Sequence, residues 1–279
     1  MAQFRTGAES RDFYAEAFRT HVKDHPITDR PHKHDFFVIV LFTKGSGVHE
    51  IDFTRHAIRP GTLFLLSPGQ SHHWTLSRDI DGIIFFHTRG FFDSGFVSQR
   101  LHDFPFFNSA YNAPVLRLKA GELAGPLSLF REILKEYGGQ KAMQRERLLS
   151  LVHLLYIHLA RLYTPQAVTK SEPYLAKLRQ FEDLLDLHFK QAKLPSYYAE
   201  LMSISERHLN RICQACLSKS PTDLIMDRNV LEARRLLMDN KASIADVAMQ
   251  LGYGDQSYFS RLFKKRTGQT PTEFVKNYR

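Results

Sequence analysis

Two short segments hold the side chains best suited to chemistry. Arg207, Asn210 and Arg211 stand in one, and Gln256, Ser257, Ser260 and Arg261 in the other. A guanidinium pairs bidentately with guanine, a carboxamide with adenine, and a hydroxyl serves either, so both sets suit the edges of DNA bases. Lys264 and Lys265 follow the second set directly, and Thr222 and Thr272 stand a little beyond each set. Charged and hydroxyl groups there suit phosphate oxygens, which position a protein on the duplex without reading its sequence.

The elements that carry these residues form a repeat. A shift of fifty residues lays Leu201 on Leu251, Leu209 on Phe259, Arg211 on Arg261, Ile212 on Leu262, Pro221 on Pro271 and Thr222 on Thr272. Each copy reads as a short helix, a tight turn and a capped second helix. Ser220-Pro221-Thr222-Asp223 and Thr270-Pro271-Thr272-Glu273 then open a further helix with a capping box and proline at its first position. In the second copy Ile244, Val247, Ala248 and Leu251 make one apolar stripe, Gly252 turns the chain, and Phe259, Leu262 and Phe263 begin the next. A small Ala248 lets two helices cross closely, the arrangement of a helix-turn-helix. The same shift puts Tyr198 where Ala248 stands and Met202 where Gly252 stands, so the first copy is expected to pack its helices differently. Residues from Pro221 onward supply a helix of about 30 Å between the copies. Reading helices held about 34 Å apart enter successive major grooves of one DNA face.

With these motifs, the last hundred residues resemble the DNA-binding domain of the AraC/XylS family of bacterial regulators. The segment SIADVAMQLGYGDQSYFSRLFKKRTGQTPTEF carries the resemblance along its length. It implies base-reading roles for Arg207, Asn210, Arg211, Gln256, Ser257, Ser260 and Arg261, and a dimeric activator that works with RNA polymerase. Thr222, Lys264, Lys265 and Thr272 are the expected phosphate contacts.

From about Phe36 to Thr88 the text is short and β-like, with DFFVIVLF, TLFLLSP and GIIFFHT separated by turn residues. A small antiparallel barrel or sandwich is expected, and its segments resemble the cupin-like sensor domain common in that family. Histidines are dense here, at positions 32, 34, 49, 72 and 73. Metal-binding cupins add a glutamate a few residues after a His-x-His pair, but Val38 or Ile39 stands there, so the sequence predicts no metal and no cofactor. Two readings remain for the histidines. In one, His32, His34 and His72 join Phe36, Phe64, Trp74 and Phe85 around a small-molecule effector, as pockets combine apolar walls with a few polar groups. In the other, the aromatics are core and the histidines cap strands.

Two helical segments follow, and in the second Leu148, Val152, Leu155, Leu159 and Leu162 keep the four-three spacing of a helix seam. That seam is expected to pack in the core or to join two chains as a homodimer. Thr164 to Pro173 lacks an apolar period and holds two prolines, which predicts a linker.

The organisation expected is therefore α+β: a cupin-like β-barrel domain with following helices over residues 1–163, a linker over 164–173, and an all-α double helix-turn-helix domain over 174–279. A formal charge of +9 suits a polyanionic partner, here double-stranded DNA. Cys213 and Cys216 are the only cysteines, no disulfide framework is possible, and Cys213 falls on apolar Phe263 in the repeat, as a core thiol would. No stretch is apolar and long enough for a bilayer, and no apolar signal core is present, so a cytoplasmic protein without a membrane partner is expected. The β region lacks a metal set or acid–base pair, which argues against an enzyme and leaves no catalytic residue to name. The competing readings are a constitutive DNA-binding regulator whose barrel only dimerises, and a metal-dependent cupin enzyme with a helical appendage.

Overall fold

The structure, a computed structural model, describes residues 12–25, 31–96, 99–107, 112–139, 141–163, 172–238 and 242–278. It divides into two compact units, Met1–Pro165 and Gln166–Arg279. Of the expected linker, residues 164–171 lie outside the described residues, and Glu172 and Pro173 open a helix.

In the first unit the described strands are β1 (Phe13–Ala17), β2 (His32–Lys33), β3 (Phe37–Lys44), β4 (Gly47–Ile51), β5 (Thr54–Ile58), β6 (Thr62–Leu66), β7 (Ser71–Leu76), β8 (Asp81–His87) and β9 (Val115–Arg117). They make two antiparallel sheets, ordered β1-β8-β3-β6-β9 and β2-β7-β4-β5. Helices α1 (Phe18–Asp24), α2 (Arg89–Asp93), α3 (Ala120–Tyr137) and α4 (Gln144–Leu162) complete the unit. The β region therefore reaches beyond 36–88 at both ends.

The five-stranded sheet is covered on both faces, which is why its strands read as continuous apolar runs. Alternation along each strand sorts the side chains between two cores. Val38, Val40, Phe42, Phe64, Leu66, Ile84 and Phe86 join Trp74 and Ile51 between the sheets. Phe37, Ile39, Leu41, Leu63, Leu65, Ile83 and Phe85 turn the other way, toward α3 and α4.

The seam of α4 lies in that second core. Leu148, Val152, Leu155 and Leu159 are buried within one chain, and Leu162 packs at its edge. Four-three spacing supplies an apolar stripe for any partner helix, and here the partner is the chain's own α3, with the sheet beyond it. The expected dimer seam is corrected accordingly. Gly125 of α3 lies so close to α4 that a Cβ would overlap the His158 imidazole.

The second unit consists of α5 (Glu172–His188), α6 (Pro195–Leu201), α7 (Glu206–Leu217), α8 (Pro221–Met238), α9 (Ile244–Gln250), α10 (Gln256–Thr267) and α11 (Pro271–Tyr278). Among the described residues no helix is long and apolar enough to cross a membrane.

His87, at the end of β8, is buried in the α4-facing core with Nε2 2.5 Å from the Tyr156 hydroxyl. Burial pulls its pKa from 6.5 to about 4. An unfolded imidazole titrates near 6.5, so between pH 6.5 and about 4 the unfolded chain takes up a proton that the folded chain refuses. Stability from this group is complete above that window and falls across it, by roughly 3 kcal/mol. Urea unfolding of parent and His87→Gln at pH 7 and pH 4.5 should give a shallower pH dependence in the variant. Equal slopes would reject this account of His87.

Candidate nucleic-acid interface and ligand site

Capping fixes where each outward helix of the second unit begins. Ser205 accepts a hydrogen bond from the His208 amide at 3.2 Å and opens α7. Asp255 accepts from the Ser257 and Tyr258 amides at 2.7 and 3.3 Å and opens α10. Leu209, Ile212, Cys213 and Cys216 then face inward on α7, and Phe259 and Phe263 on α10. Both cysteines are fully buried free thiols, and burial raises Cys213 to about 12 and Cys216 to about 11, which makes them inert packing groups.

What remains outward matches between the two helices. Arg207, Asn210 and Arg211 are exposed and line one shared depression on α7. Ser257 and Arg261 are exposed and Ser260 half-buried at the corresponding places on α10, with exposed Gln256 one residue before. The i, i+3, i+4 spacing puts each triad on one helix face. Lys264, Lys265, Thr222 and Thr272 are exposed as well. Arg266, third in the same basic run, instead turns inward to Asp223 at 2.9 Å and Asp227 at 3.4 Å. It pins the end of α10 to the start of α8.

The helix-turn-helix register differs from the fifty-residue shift. Before the turn the offset is 49: the Met202 amide donates to Tyr198 as Leu251 does to Val247, and Ile204 donates to Ala199 as Tyr253 does to Ala248. Tyr198 therefore corresponds to Val247, and Ala199, 2% exposed like Ala248, is the small residue at the crossing. The turn position is Ser203, with φ of 52° where Gly252 has 78°. The first turn is one residue shorter, and both units pack alike around an alanine. A glycine signal was absent because serine occupies the left-handed position at some conformational cost.

Helix α8 packs against every other helix of this unit. Its Leu224, Ile225, Asn229, Val230, Ala233 and Leu237 are buried. Lys193, in the turn before α6, joins both halves to it. Its Nζ, with three N–H donors, lies within hydrogen-bond distance of four acceptors: Asn229 Oδ1 at 2.6 Å, the Leu251 carbonyl at 2.7 Å and the Phe189 and Lys190 carbonyls at 2.5 and 3.1 Å. The ammonium thus meets the carbonyl ends of α5 and α9, where helix dipoles favour a cation. It also lies 4.8 Å from the Tyr253 ring centroid, while burial lowers its pKa to about 8. Neither Lys193 nor Asn229 was singled out in the sequence, since a lone lysine in a polar turn carries no periodic signal.

In the first unit the four-stranded sheet gathers the histidines. His32 pairs across from His72, His49 from Trp74, and Ile51 from His72, so these side chains share the inner face. Backbone contacts fix the loops around them: the Gly69 amide donates to the His34 carbonyl at 2.8 Å, and Asp52 accepts from the Ser71 amide at 3.0 Å. Ring centroids lie 4.5 Å apart for His32–His72, 4.8 Å for His32–His34 and 4.8 Å for His72–Trp74. Phe36 stacks on His34 at 4.5 Å, and Phe64 meets the cluster through His49 at 4.5 Å.

Phe85 does not join this group. It points to the helical side, 5.3 Å from Phe130 and 5.9 Å from Phe13, because odd positions of β8 face α3. Its neighbour Phe86, 4.9 Å from Phe36, stands in its place. His49 also belongs to the site, fully buried with Nε2 3.0 Å from His72 Nδ1. Its alternation with Ile51 on β4 is the signal that could have found it. His49 Nδ1, His72 Nε2 and Trp74 Nε1 are buried without a hydrogen-bond partner among the described residues. Burial with the neighbouring imidazoles drives His34 down to about 3 and His49 and His72 well below 6.5. These imidazoles are neutral at ordinary pH.

A β-sheet domain with a buried histidine and aromatic cluster, followed by two helix-turn-helix units on one shared helix, defines a DNA-binding transcription regulator with a ligand-binding domain. A helix-turn-helix domain family matches residues 198–277, and the AraC-like ligand binding domain matches residues 16–82. The arabinose operon regulatory protein of Escherichia coli strain K12 is 26% identical over 253 residues, covering 88% of this chain and 82% of that protein. The transcriptional activator RhaS of Enterobacter sp. strain 638 is 24% identical over 87% of this chain and 86% of its own. Among solved structures, ToxT from Vibrio cholerae aligns over 95% of this chain and 98% of that one, at 11% identity and a TM-score of 0.48. The chain thus joins an AraC-like ligand binding domain to a helix-turn-helix domain.

The Lys193 contacts predict that Lys193→Met removes the donor shared by Asn229 and the helix-end carbonyls and lowers stability by about 1 to 3 kcal/mol. Chemical denaturation followed by far-UV circular dichroism checks this. A variant as stable as the parent would show that the ammonium contributes nothing net.

Proposed function

We propose that the chain is a ligand-responsive transcription activator that reads two successive major grooves of double-stranded DNA with α7 and α10. The observation that carries this reading is the pair of matched outward triads, Arg207/Asn210/Arg211 and Ser257/Ser260/Arg261, on two helices joined to one buried helix. At a rise of about 1.5 Å per residue α8 is about 27 Å long, close to one turn of DNA. Gln256 extends the second reading face, and Thr222, Lys264, Lys265 and Thr272 contact phosphate in this reading. Arg266 drops out of it, since its guanidinium is engaged by Asp223 and Asp227.

The sensor half takes a small-molecule effector at His32, His34, Phe36, Phe64, His72 and Trp74, with His49 and Phe86 beside them. Neutral imidazoles and an indole N–H among aromatic rings fit a ligand pocket better than a plain core, where unpartnered polar atoms cost free energy. Two of the relatives' names, RhaS and RhaR, are those of activators, which supports contact with RNA polymerase. The protein works in the cytoplasm as a homodimer, through a surface other than the buried seam of α4. No residue is proposed as catalytic.

Arg261→Ala should weaken specific binding by about 1 to 3 kcal/mol and relax preference at one base pair, as loss of a bidentate contact does. Lys265→Ala should weaken all sequences alike and lower the salt slope by about one phosphate. Titrations on a selected operator and on random duplex, at several salt concentrations, separate these outcomes. Equal losses on both duplexes for Arg261→Ala would reject it as a base reader.

A further inference from the structure

His32, His34 and His72 each bring one ring nitrogen to within 4.8 Å of the others. The placement follows from the strands: His32 and His72 are directly paired across β2 and β7, and His34 lies two residues on, on the same face. His72 Nδ1 is engaged by His49 Nε2 at 3.0 Å, which leaves Nε2 as the nitrogen open to a ligand. That Nε2 is buried and has no partner among the described residues. A hydrogen bond on one imidazole nitrogen that sets the other for coordination is how histidine ligands are commonly oriented.

We propose that His32, His34 and His72 bind one divalent transition-metal ion of the zinc, cobalt or nickel kind. Three imidazoles suit these ions, and sites with three histidine ligands keep a further position for water or a bound molecule. Trp74, its ring centroid 4.8 Å from that of His72, has a buried indole N–H without a partner among the described residues, suited to an oxygen atom on the metal. The inference rests on the pocket reading of this histidine cluster and names what that pocket takes.

The test uses the full chain without an affinity tag, stripped with chelator and then titrated with Co2+. Visible absorption follows coordination, and elemental analysis of zinc after gel filtration gives the stoichiometry. The expected result is one ion per chain, with affinity reduced at least about tenfold in His32→Ala and in His34→Gln. His73→Ala should bind as the parent does, because His73 sits across from Glu50 on the other face of the sheet. Urea unfolding verifies that each variant is folded, and the parent's own cobalt spectrum is decisive should a variant not fold. Binding well below one ion per chain, or affinity unchanged in both folded ligand variants, overturns the proposal. A small organic molecule that stabilises the metal-free protein, with no metal bound by the parent, keeps the pocket and rejects the metal.

Discussion

The outward helices α7 and α10 are held by one shared helix, and α8 can serve both because it packs against both helix-turn-helix units. It closes the first helix-turn-helix unit and opens the second, so any change in its packing alters both readers together. Apolar side chains supply most of this contact, and three polar groups set its register. Lys193 ties the ends of α5 and α9 to Asn229, Arg266 ties α10 to Asp223 and Asp227, and Arg228 bonds Asp186 at 2.7 Å while lying 4.0 Å from the Phe189 ring centroid. Directional bonds of this kind specify one arrangement where apolar packing alone tolerates several. The proposed reading of two successive grooves depends on that specification, since a small rotation of one helix would displace its side chains from base edges.

The β-sheet unit answers to a different constraint. Its five-stranded sheet is wedged between a second sheet and two helices, so β3, β6 and β8 are buried over most of their length and parity decides which core each of those residues enters. His49 and His72 on the inner face are fully buried, which holds both imidazoles neutral, and the two bond to one another. The same parity takes His87 to the helical side, where Tyr156 satisfies it. Buried histidines thus sit in unlike surroundings: His87 is bonded to Tyr156, whereas His49 Nδ1 and His72 Nε2 have no hydrogen-bond partner among the described residues.

The helix-turn-helix repeat, its caps and its outward side chains were legible in the sequence because they are local. Capping boxes act over three residues, helix faces over four, and proline at a first position acts on its own backbone. The turn was harder to read, since one residue is missing between Ser203 and Ser205 relative to Gly252 and Asp255. A single shift cannot register both sides of a deletion, so Tyr198 was set against Ala248 although Ala199 holds that place.

The sequence by itself determined the class of element in the helix-turn-helix units, the capping boxes at Ser220 and Thr270 and the face on which Arg207, Asn210, Arg211 and Arg261 emerge, because side-chain direction along a helix is periodic and needs no distant partner. Only the tertiary structure decided that the leucines of α4 meet α3, that Phe86 and not Phe85 stands with the histidines, and that Arg266 is spent on an ion pair. Each of those choices has two outcomes that local sequence does not distinguish. An apolar stripe fits its own chain or another, a strand buried on both faces can present either parity, and an arginine serves phosphate or carboxylate. Contacts between residues distant in sequence select among them, and for the histidines that selection brought His32, His34 and His72 together from two strands.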